Sequence, residues 1–215
     1  LIFRLCMKNK IPQVSIIITN YNYGKYIARC IRSCLSQSQI DCEVIVVDDK
    51  SSDNSIEVLE SFSGDIRLIK NKENVGVAKS SNIGIRAARS QFVIRVDADD
   101  FINADMCLFM RRYLVENHDA FCVSCDYVLV DDYENILERK YAKESPISCG
   151  IMYRRDLLLE LGGYDEKMRH REEEELRHRL SNFYKIHHLQ IPFYRYRMHS
   201  HNKTKSKEYH ETVVG

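Results

Sequence analysis

Hydrophobic and polar positions follow two different periods along the first hundred residues. Short runs rich in β-branched residues predict buried strands at 14–19, 43–48, 66–70 and 92–96. Between them, apolar residues recur at helical spacing and predict helices at 25–37, 55–62 and 77–89. Asn54 and Glu57 resemble a capping box at the start of the second helix. Strands that alternate with helices in this way are typical of a parallel sheet.

After Asp100 the pattern changes. It predicts helices at 104–115, 155–161 and 172–180, strands at 120–130, 136–141 and 147–153, and extended segments at 184–190 and 193–197. Consecutive strands without intervening helices favour antiparallel pairing. We therefore predict an α/β fold, with a Rossmann-like, mostly parallel sheet flanked by helices and a mixed C-terminal half.

The chain contains few residues that break regular structure. Only 3 Pro and 8 Gly occur among 215 residues, and no Ser/Gly-rich linker divides them. We expect a single domain over residues 7–205, followed by a polar tail at 206–215. Met7 is a plausible start, so residues 1–6 are interpreted as upstream of the natural chain.

Composition limits the possible classes of partner. The formal net charge of +1 provides no global field for holding nucleic acid or anionic lipid. Aromatic and basic residues interleave at 193–207, which would suit single-stranded nucleic acid, but one such stripe is weak support and we expect no nucleic-acid partner. The aliphatic runs fall far short of the roughly 20 residues that a membrane helix needs. We therefore expect a chain that does not span a membrane.

The 8 cysteines are scattered through mostly apolar segments. This usage indicates a reduced, cytoplasmic protein rather than a disulfide scaffold. Cys122 and Cys125 have the spacing of a zinc or redox site, but they lie in a strand-like run without a second pair. We interpret them, and the helical pair Cys30 and Cys34, as core residues.

Acidic and polar residues follow the predicted parallel strands. Thr19 and Tyr21 close the first strand, Asp49 follows the second, and Asp97 to Asp100 follow the fourth. Ligands of open α/β sheets bind outside the carboxyl ends of the strands, so these residues should meet in one crevice. Two carboxylates two positions apart in an extended segment lie on one side, roughly 7 Å apart. They could share Mg²⁺ or Mn²⁺ with a diphosphate, although acids after strands also serve as turn formers and helix caps.

Four glutamates, at positions 172–175, open one predicted helix. Acids are favoured at a helix N-terminus, and two of the four form i,i+4 pairs with Arg177 and Arg179, so a solvated helix start is one interpretation. At 100° per residue, however, Glu173 shares the face of Leu176 and Leu180 that must turn toward the core. Glu174 and Glu175 point away, and Glu172 is intermediate.

Several other kinds of site are absent from the sequence. It contains no Gly-x-Gly-x-x-Gly after the first strand and no Gly-x-x-x-x-Gly-Lys, which excludes the standard dinucleotide and P-loop sites. Gly-x-Ser-x-Gly and His-Glu-x-x-His are also missing, which excludes the common hydrolase and zinc-protease motifs. The acidic crevice at the strand ends is therefore the candidate site that the sequence leaves.

Taken in order, the motifs resemble those of the inverting family 2 glycosyltransferases of GT-A fold. The resemblance covers residues 13–204, and its motifs lie at 14–22, 46–53, 74–84, 96–100, 162–166 and 171–180. It implies a metal-dependent transferase that uses Mn²⁺ or Mg²⁺ and moves a hexosyl or N-acetylhexosaminyl group in a single displacement. The resemblance implies a nucleotide sugar as donor, with uridine as the nucleoside expected for this family. The acceptor would be a hydroxyl of a glycan or lipid-linked molecule in bacterial-type polysaccharide synthesis.

Carried over position by position, the resemblance assigns roles to individual residues. Glu173 would be the general base, and Asp99 and His199 the metal ligands. The nucleotide would be held by Thr19, Tyr21, Asp49, Lys79 and Asp97. Two departures stand out: Glu replaces the usual Asp at 173, and Ser81 replaces a common Arg, which leaves Lys79 as the nearby cation.

Two alternatives fit parts of the same evidence. A sugar-1-phosphate nucleotidyltransferase has a related sheet and metal-bound acids, but it should carry a Gly-rich, Arg-containing loop after the first strand. A catalytically degenerate nucleotide-sugar binding module would explain Glu173 and Ser81. A cytoplasmic enzyme could also associate peripherally with the inner face of the membrane, and its oligomeric state stays open.

Overall fold

The computed structural model describes residues 10–168, 171–181, 183–200 and 202. The predictions for residues 1–6 and for the tail at 206–215 lie outside these ranges.

Strands and helices alternate through the first half of the chain. Four strands, β1 (Val14–Asn20), β2 (Cys42–Asp48), β3 (Arg67–Lys70) and β4 (Phe92–Asp97), are separated by helices α1 (Ile27–Leu35), α2 (Ser55–Glu60) and α3 (Val77–Ala87). The centres of β1, β2 and β4 are almost fully buried, because helices cover both faces of the sheet. This half matches the predicted alternation.

The second half contains more strands than helices. Its strands are β5 (Phe101–Ile102), β6 (Cys122–Val130), β7 (Ile136–Lys140), β8 (Ile151–Arg154) and β9 (Ile186–Arg197). Its helices are α4 (Met106–Glu116), α5 (Arg155–Glu160) and α6 (Glu172–Ser181). The predicted helices all occur, with ends that differ by a few residues.

All the described strands join one mixed sheet in the order β3-β2-β1-β4-β8-β6-β9-β5, with β7 on the outer side of β6. The strands β3, β2, β1 and β4 are parallel, whereas β8 runs antiparallel to both β4 and β6. The predicted α/β fold is therefore confirmed: the parallel half carries one wall of a cleft and the mixed half carries the other.

Local details differ from the sequence prediction. The side chain of Asn54 forms no cap hydrogen bond, so the capping box is wrong; instead Asp53 accepts hydrogen bonds from the backbone N–H groups of Ser55 at 2.9 Å and Gly24 at 2.8 Å. β8 begins only at Ile151, because Gly150 has a φ of +71° that interrupts an extended strand. The extended segments at 184–190 and 193–197 form the single strand β9, and the two-residue β5 was not predicted.

The cysteines behave as predicted. Within the described part of the chain all seven are free thiols, and Cys30, Cys34, Cys122 and Cys125 are buried in the core. Burial raises the pKa of the Cys122 thiol and of the Cys125 thiol to about 12. Both are therefore protonated at neutral pH, which suits core residues and not metal ligands.

The described part of the aromatic and basic stretch, residues 193–200 and 202, is largely internal. Phe193 and Tyr194 lie in the core, and the guanidinium of Arg197 is buried against backbone carbonyls, including that of Asp99 at 2.9 Å. These groups are not free to stack on nucleic-acid bases. No helix of the described residues has both the length and the apolar character needed to cross a bilayer.

Helix α3 approaches the sheet closely because it carries a glycine on its inner face. A Cβ added at Gly84 would lie 2.4 Å from Cγ2 of Ile17 and 3.3 Å from Cγ2 of Val47. Two residues earlier, Asn82 donates to the carbonyl of Tyr164 at 2.8 Å and accepts from its N–H at 3.0 Å. Two of the sequence motifs thus pack against each other and fix α3 between the sheet and the turn that precedes α6.

Replacing Gly84 by Ala should destabilise the protein. Helix propensity alone predicts a gain of about 1 kcal/mol, but overpacking a core contact costs about 1–3 kcal/mol, and here the clash is with a buried strand. The urea midpoint of Gly84→Ala should therefore fall. In the double variant Gly84→Ala/Ile17→Ala the cost should be less than the sum of the two single costs, and simple additivity would contradict this contact.

Candidate active site

A cleft of about 640 Å³ opens at the carboxyl ends of β1, β2 and β4 and is closed on the other side by α6 and the mixed half of the sheet. Of the residues predicted from sequence, it is lined by Thr19, Tyr21, Asp49, Asp97, Asp99 and Glu173. Residues from four separate stretches of the chain therefore meet in one place.

The register of the parallel strands sets the floor of this cleft. Thr19 pairs with Asp97 across β1 and β4, and Asn20 pairs with Asp48 across β1 and β2. The amide of Asn20 donates to the Asp48 carboxylate at 2.8 Å and to the Ser51 hydroxyl at 3.1 Å. The loops after β1 and β2 are thus locked together before any ligand arrives.

Asp49 organises a third loop. One oxygen of its carboxylate accepts from the N–H of Val75 at 2.9 Å and from the amide of Asn71 at 2.9 Å; the other accepts from the N–H of Gly76 at 2.8 Å. The carboxylate is buried and lies at the edge of the cleft. It therefore shapes the loop at 71–76, and any contact with a nucleotide base would be made from this fixed position.

The acidic segment after β4 is not extended, so the expected geometry of Asp97 and Asp99 is wrong. The chain turns immediately after β4, and the N–H of Asp100 donates to the carbonyl of Asp97 at 3.1 Å. The side chain of Asp97 stays partly open to the cleft, whereas that of Asp99 is mostly buried. The turn forms because other parts of the protein donate hydrogen bonds to Asp100, the third acid of the segment.

Asp100 is that third acid. It accepts from the Tyr194 hydroxyl at 2.8 Å and from the backbone N–H of Arg197 at 2.8 Å. Burial raises the pKa of the Asp100 carboxyl well above its usual range, and the negative charges of Asp99 and Asp97 raise it further. Asp100 is therefore a structural anchor that ties the turn to β9.

His199 lies directly behind Asp99. Its Nε2 is 2.9 Å from Oδ2 of Asp99, and both side chains are mostly buried. The imidazole stacks on Tyr26, with ring centroids 4.9 Å apart, and its backbone N–H donates to the Asn202 amide oxygen at 2.6 Å. The two residues expected as metal ligands are thus brought into contact, although they are 100 positions apart in the chain.

Helix α6 directs two glutamates inward. Glu173 and Leu176 are buried as the helical face predicts, and Glu174 and Glu175 are only partly buried. Glu172 is also buried, so its expected intermediate position is wrong. Glu172 is turned inward because its carboxylate pairs with Arg95 of the sheet.

The Glu173 carboxylate is unusual in its surroundings. Its side chain is only 3% exposed, and Nε of Arg177 approaches Oε1 to 2.9 Å. This approach does not form an aligned hydrogen bond, and Oε1 is left without a hydrogen-bond partner. Burial raises the pKa of Glu173 to about 7, while Arg177 and then Arg95 oppose the rise. A buried carboxylate that lines the cleft and has a pKa near neutrality is suited to accept a proton.

Arg95 connects the two walls of the cleft. Its Nη1 donates to Oε1 of Glu172 at 2.9 Å, and its Nε lies 3.5 Å from Oδ1 of Asp97. The guanidinium lies over the ring of Tyr164 at 5.2 Å and its side chain is 4% exposed. One buried cation thus joins the acidic end of β4 to the first residue of α6.

The glycosyl transferase family 2 profile matches residues 15–179, which contain the three parallel strands at the cleft and almost all of α6. The chain belongs to this family.

Similar proteins support this assignment. The hyaluronan synthase of Pasteurella multocida is 33% identical over 118 residues, which cover 54% of this chain and 12% of the synthase. The glycosyltransferase GlyG of Streptococcus pneumoniae is 31% identical over 122 residues, 55% of this chain and 40% of that protein. The chain therefore spans less than half the length of either of these two curated relatives.

The fold of this family 2 chain is also similar to that of a solved structure. A crystal structure of S. aureus TarS 1–349 in complex with UDP-GlcNAc aligns with a TM-score of 0.78 and 21% identity, covering 94% of this chain and 64% of that one. This likeness shows that the GT-A-type fold predicted from the motifs is correct.

One expected nucleotide-binding residue does not reach the cleft. Lys79 is half-buried on α3 and does not line the cavity, whereas its neighbour Ser80 does. Two consecutive positions of a helix point about 100° apart, and here Ser80 is the one of the two that faces the cleft. The Ser81 hydroxyl donates back to the carbonyl of Val77 at 2.7 Å and is likewise committed within the helix.

Sequence reasoning missed the importance of Arg95 and Glu172. A signal was present, because Arg95 is the single charged residue in the otherwise apolar run Phe92–Val96, and a charge in a buried strand requires a partner. The partner could not be identified from the sequence, since Glu172 is 77 positions away.

Proposed function

We propose that this family 2 domain transfers a sugar from a UDP-sugar to a hydroxyl group of a glycan or lipid-linked acceptor, with inversion at the anomeric carbon. The observation that carries the proposal is the Glu173 carboxylate, which is 3% exposed and lines the same cleft as Asp97 and Asp99. The likeness to TarS, solved with UDP-GlcNAc, supports a uridine nucleotide as donor.

The donor diphosphate would enter beside Asp97 and Asp99, where an acidic wall alone would repel it. Within the described ranges, no cluster of three or more His, Cys, Asp or Glu side chains is arranged to hold a metal ion. Asp99 and His199 would supply two ligands once bonds to the ion replace the hydrogen bond between their facing atoms, which are 2.9 Å apart; adjacent ligands of an octahedral Mg²⁺ lie about 3 Å apart.

Magnesium is usually held by one or two protein carboxylates together with substrate phosphates, which suits this small donor set. We therefore propose Asp99 and His199 as ligands of Mg²⁺ or Mn²⁺, with Asp97 beside them at the ribose. When bound, the ion would offset the charge that develops on the departing diphosphate. Thr19, Tyr21 and Asp49 would hold the nucleoside. Two expected residues, Lys79 and His199, are not part of the cleft lining, and His199 reaches the site through its contact with Asp99.

The transfer itself requires one proton acceptor. Glu173 takes the proton of the acceptor hydroxyl while the oxygen of that hydroxyl forms a bond to the anomeric carbon. At the same time, the bond from the anomeric carbon to the diphosphate breaks. The electron pair leaves with the diphosphate, and the attack from the opposite face inverts the configuration. A sugar hydroxyl is a weak acid, so Glu173 acts by partial proton transfer in the transition state, and its position matters as much as its pKa.

We place this reaction in the cytoplasm, at the inner face of the membrane when the acceptor is lipid-linked. The free, buried thiols of the described cysteines support a reducing compartment.

Donor binding should depend on a divalent ion. With UDP at about 100 times its Kd and Mn²⁺ present, thermal and urea unfolding should report about 2.7 kcal/mol of added stability, and EDTA should remove most of it. Asp99→Asn should weaken UDP binding about tenfold, and His199→Ala somewhat less. Asp105→Asn, on the exposed side of the next loop, is the matched control and should bind UDP like the parent. Undiminished UDP binding in EDTA would remove the metal from the proposal.

The same protein separates the alternatives. A transferase releases UDP faster when an acceptor is added, and a nucleotidyltransferase instead forms pyrophosphate from UTP and a sugar 1-phosphate. A binding module would bind UDP-sugar and release nothing. Pyrophosphate formation, or tight binding without turnover across an acceptor panel, would therefore reject the proposed transfer.

A further inference from the structure

A second cavity adjoins the main cleft on the side of the mixed sheet. Its volume is about 210 Å³, and it shares Pro146, Ile147 and Arg177 with the main cleft. Because Arg177 also contacts Glu173, this side cavity begins next to the proposed general base. A molecule whose hydroxyl reaches Glu173 could place a neighbouring group inside it.

One wall of the side cavity is a hydrogen-bonded array across two strands. Ser124 and His188 are register partners on β6 and β9, and the Ser124 hydroxyl lies 2.8 Å from Nδ1 of His188. Nε2 of His188 lies 2.8 Å from Oδ1 of Asp126. The side chains of His188 and Asp126 are 3% and 0% exposed, so the imidazole is held in one orientation.

The loop that covers the cavity is also fixed. Arg139 donates to Oδ2 of Asp126 at 2.9 Å, and the N–H of Ala142 donates to Oδ1 at 3.1 Å. Further along, the Tyr127 hydroxyl donates to the carbonyl of Ser145 at 2.9 Å. The Asp126 carboxylate is thereby committed to three partners and lies behind His188 instead of facing the cavity.

The charged groups in the lining are all basic. These groups are Lys143 and Arg177; His188 also lines the side cavity, and the described lining contains no aspartate or glutamate. The main cleft, in contrast, is lined by acids at its donor end. The remaining lining, such as Ile147 and Ile151, is apolar and suits the C–H face of a sugar ring.

We propose that the side cavity binds an anionic group of the acceptor, a carboxylate or a phosphate carried on the sugar that reacts or on its neighbour. The proposal rests on the transfer reaction assigned above and names the chemical class of its acceptor. Lys143 and Arg177 attract the anion, the Ser124 hydroxyl lies in the same wall, and Pro146 and Ile147 contact the ring. The acidic donor end rejects the same group, so an acceptor can bind in one direction only.

Binding of small probes tests the cavity directly. The full chain in EDTA is titrated with methyl β-glucuronide, glucose 6-phosphate and methyl β-glucoside, and the His188 ring signals are followed by NMR. One or both anionic probes should bind at least tenfold more tightly than the neutral glucoside and shift those signals; the tighter one identifies carboxylate or phosphate. Lys143→Gln should weaken that probe at least fivefold. Lys143 is exposed, so the variant should fold normally.

Lys72→Gln is the matched control, because Lys72 is exposed after β3 and lines neither cavity. Equal binding of charged and neutral probes, or equal loss in both lysine variants, would overturn the proposal.

Turnover then separates this inference from the proposed function. UDP release that is equally fast with neutral and anionic acceptors would reject the anion site and keep the transferase. Probe binding that depends on Lys143, without UDP release for any acceptor, would keep the site and reject the transferase.

Discussion

Glu173→Gln should lower kcat by about 10²–10⁴, the usual contribution of a general base, while UDP affinity stays unchanged. The amide preserves shape and the approach of Arg177 but cannot accept a proton. Steady-state UDP release and UDP titration measure the two quantities separately. Equal losses in kcat and in UDP affinity would indicate a damaged cleft in place of a missing base.

The pH profile provides a second reading of the same residue. Because burial raises the pKa of Glu173 to about 7, the carboxylate forms only as the pH rises through that value, and kcat/KM of the parent should rise with it. The raised pKa also means that the folded state holds the proton more tightly than the unfolded chain. Stability should therefore fall as the pH rises from about 4.5 to about 7, and Glu173→Gln should lose less stability over that range.

Glu174→Gln is the matched control for both measurements. Glu174 is adjacent, partly exposed and paired with Arg171 at 2.5 Å, so its loss should cost at most about 0.5 kcal/mol and change kcat only a few-fold. If Glu172→Gln were inactive and Glu173→Gln active, the base would be the neighbouring glutamate. Activity in these three variants and in Glu175→Gln would exclude α6 as the source of the base.

Arg95→Met should destabilise the protein by about 3–5 kcal/mol, the usual cost of removing one partner from a buried ion pair. It leaves Glu172, 8% exposed, without its cation, and it also removes the positive charge beside Asp97. Urea unfolding measures the loss. Arg86→Met is the matched control, because Arg86 pairs with Glu166 at the surface, where both side chains are more than one third exposed and the pair is worth about 0–1 kcal/mol.

The double variant Arg95→Met/Glu172→Met keeps the role of Arg95 testable when the single variant folds poorly. Removing both charges restores most of the stability, since no uncompensated ion is left in the core. Its kcat should still be reduced, because α6 is no longer tied to β4 and Glu173 is held less precisely. A double variant with parental kcat would show that the bridge is structural only, and equal costs for Arg95→Met and Arg86→Met would show that it is not a buried pair.

Much of this molecule follows from local patterns in the sequence. The parallel strands β1, β2 and β4 were predictable because each is a short, nearly continuous apolar run, which is the pattern of a strand buried on both faces. Glu173 was predictable because a helix repeats every 3.6 residues, and Leu176 and Leu180 fix which face is inside. The crevice followed from the rule that parallel strands end at one edge of their sheet.

What the sequence could not supply are contacts between residues far apart in the chain. The turn after Asp97 depends on Tyr194 and Arg197, and a local rule that treats 97–99 as extended cannot include them. In the same way, Glu172 is buried because it pairs with Arg95 in the sheet, although helix geometry alone predicts an intermediate position between the buried and exposed faces. Side-chain period is a property of a segment, so the sequence determined it; charge pairing and loop closure are properties of the packed chain, so only the tertiary structure decided them.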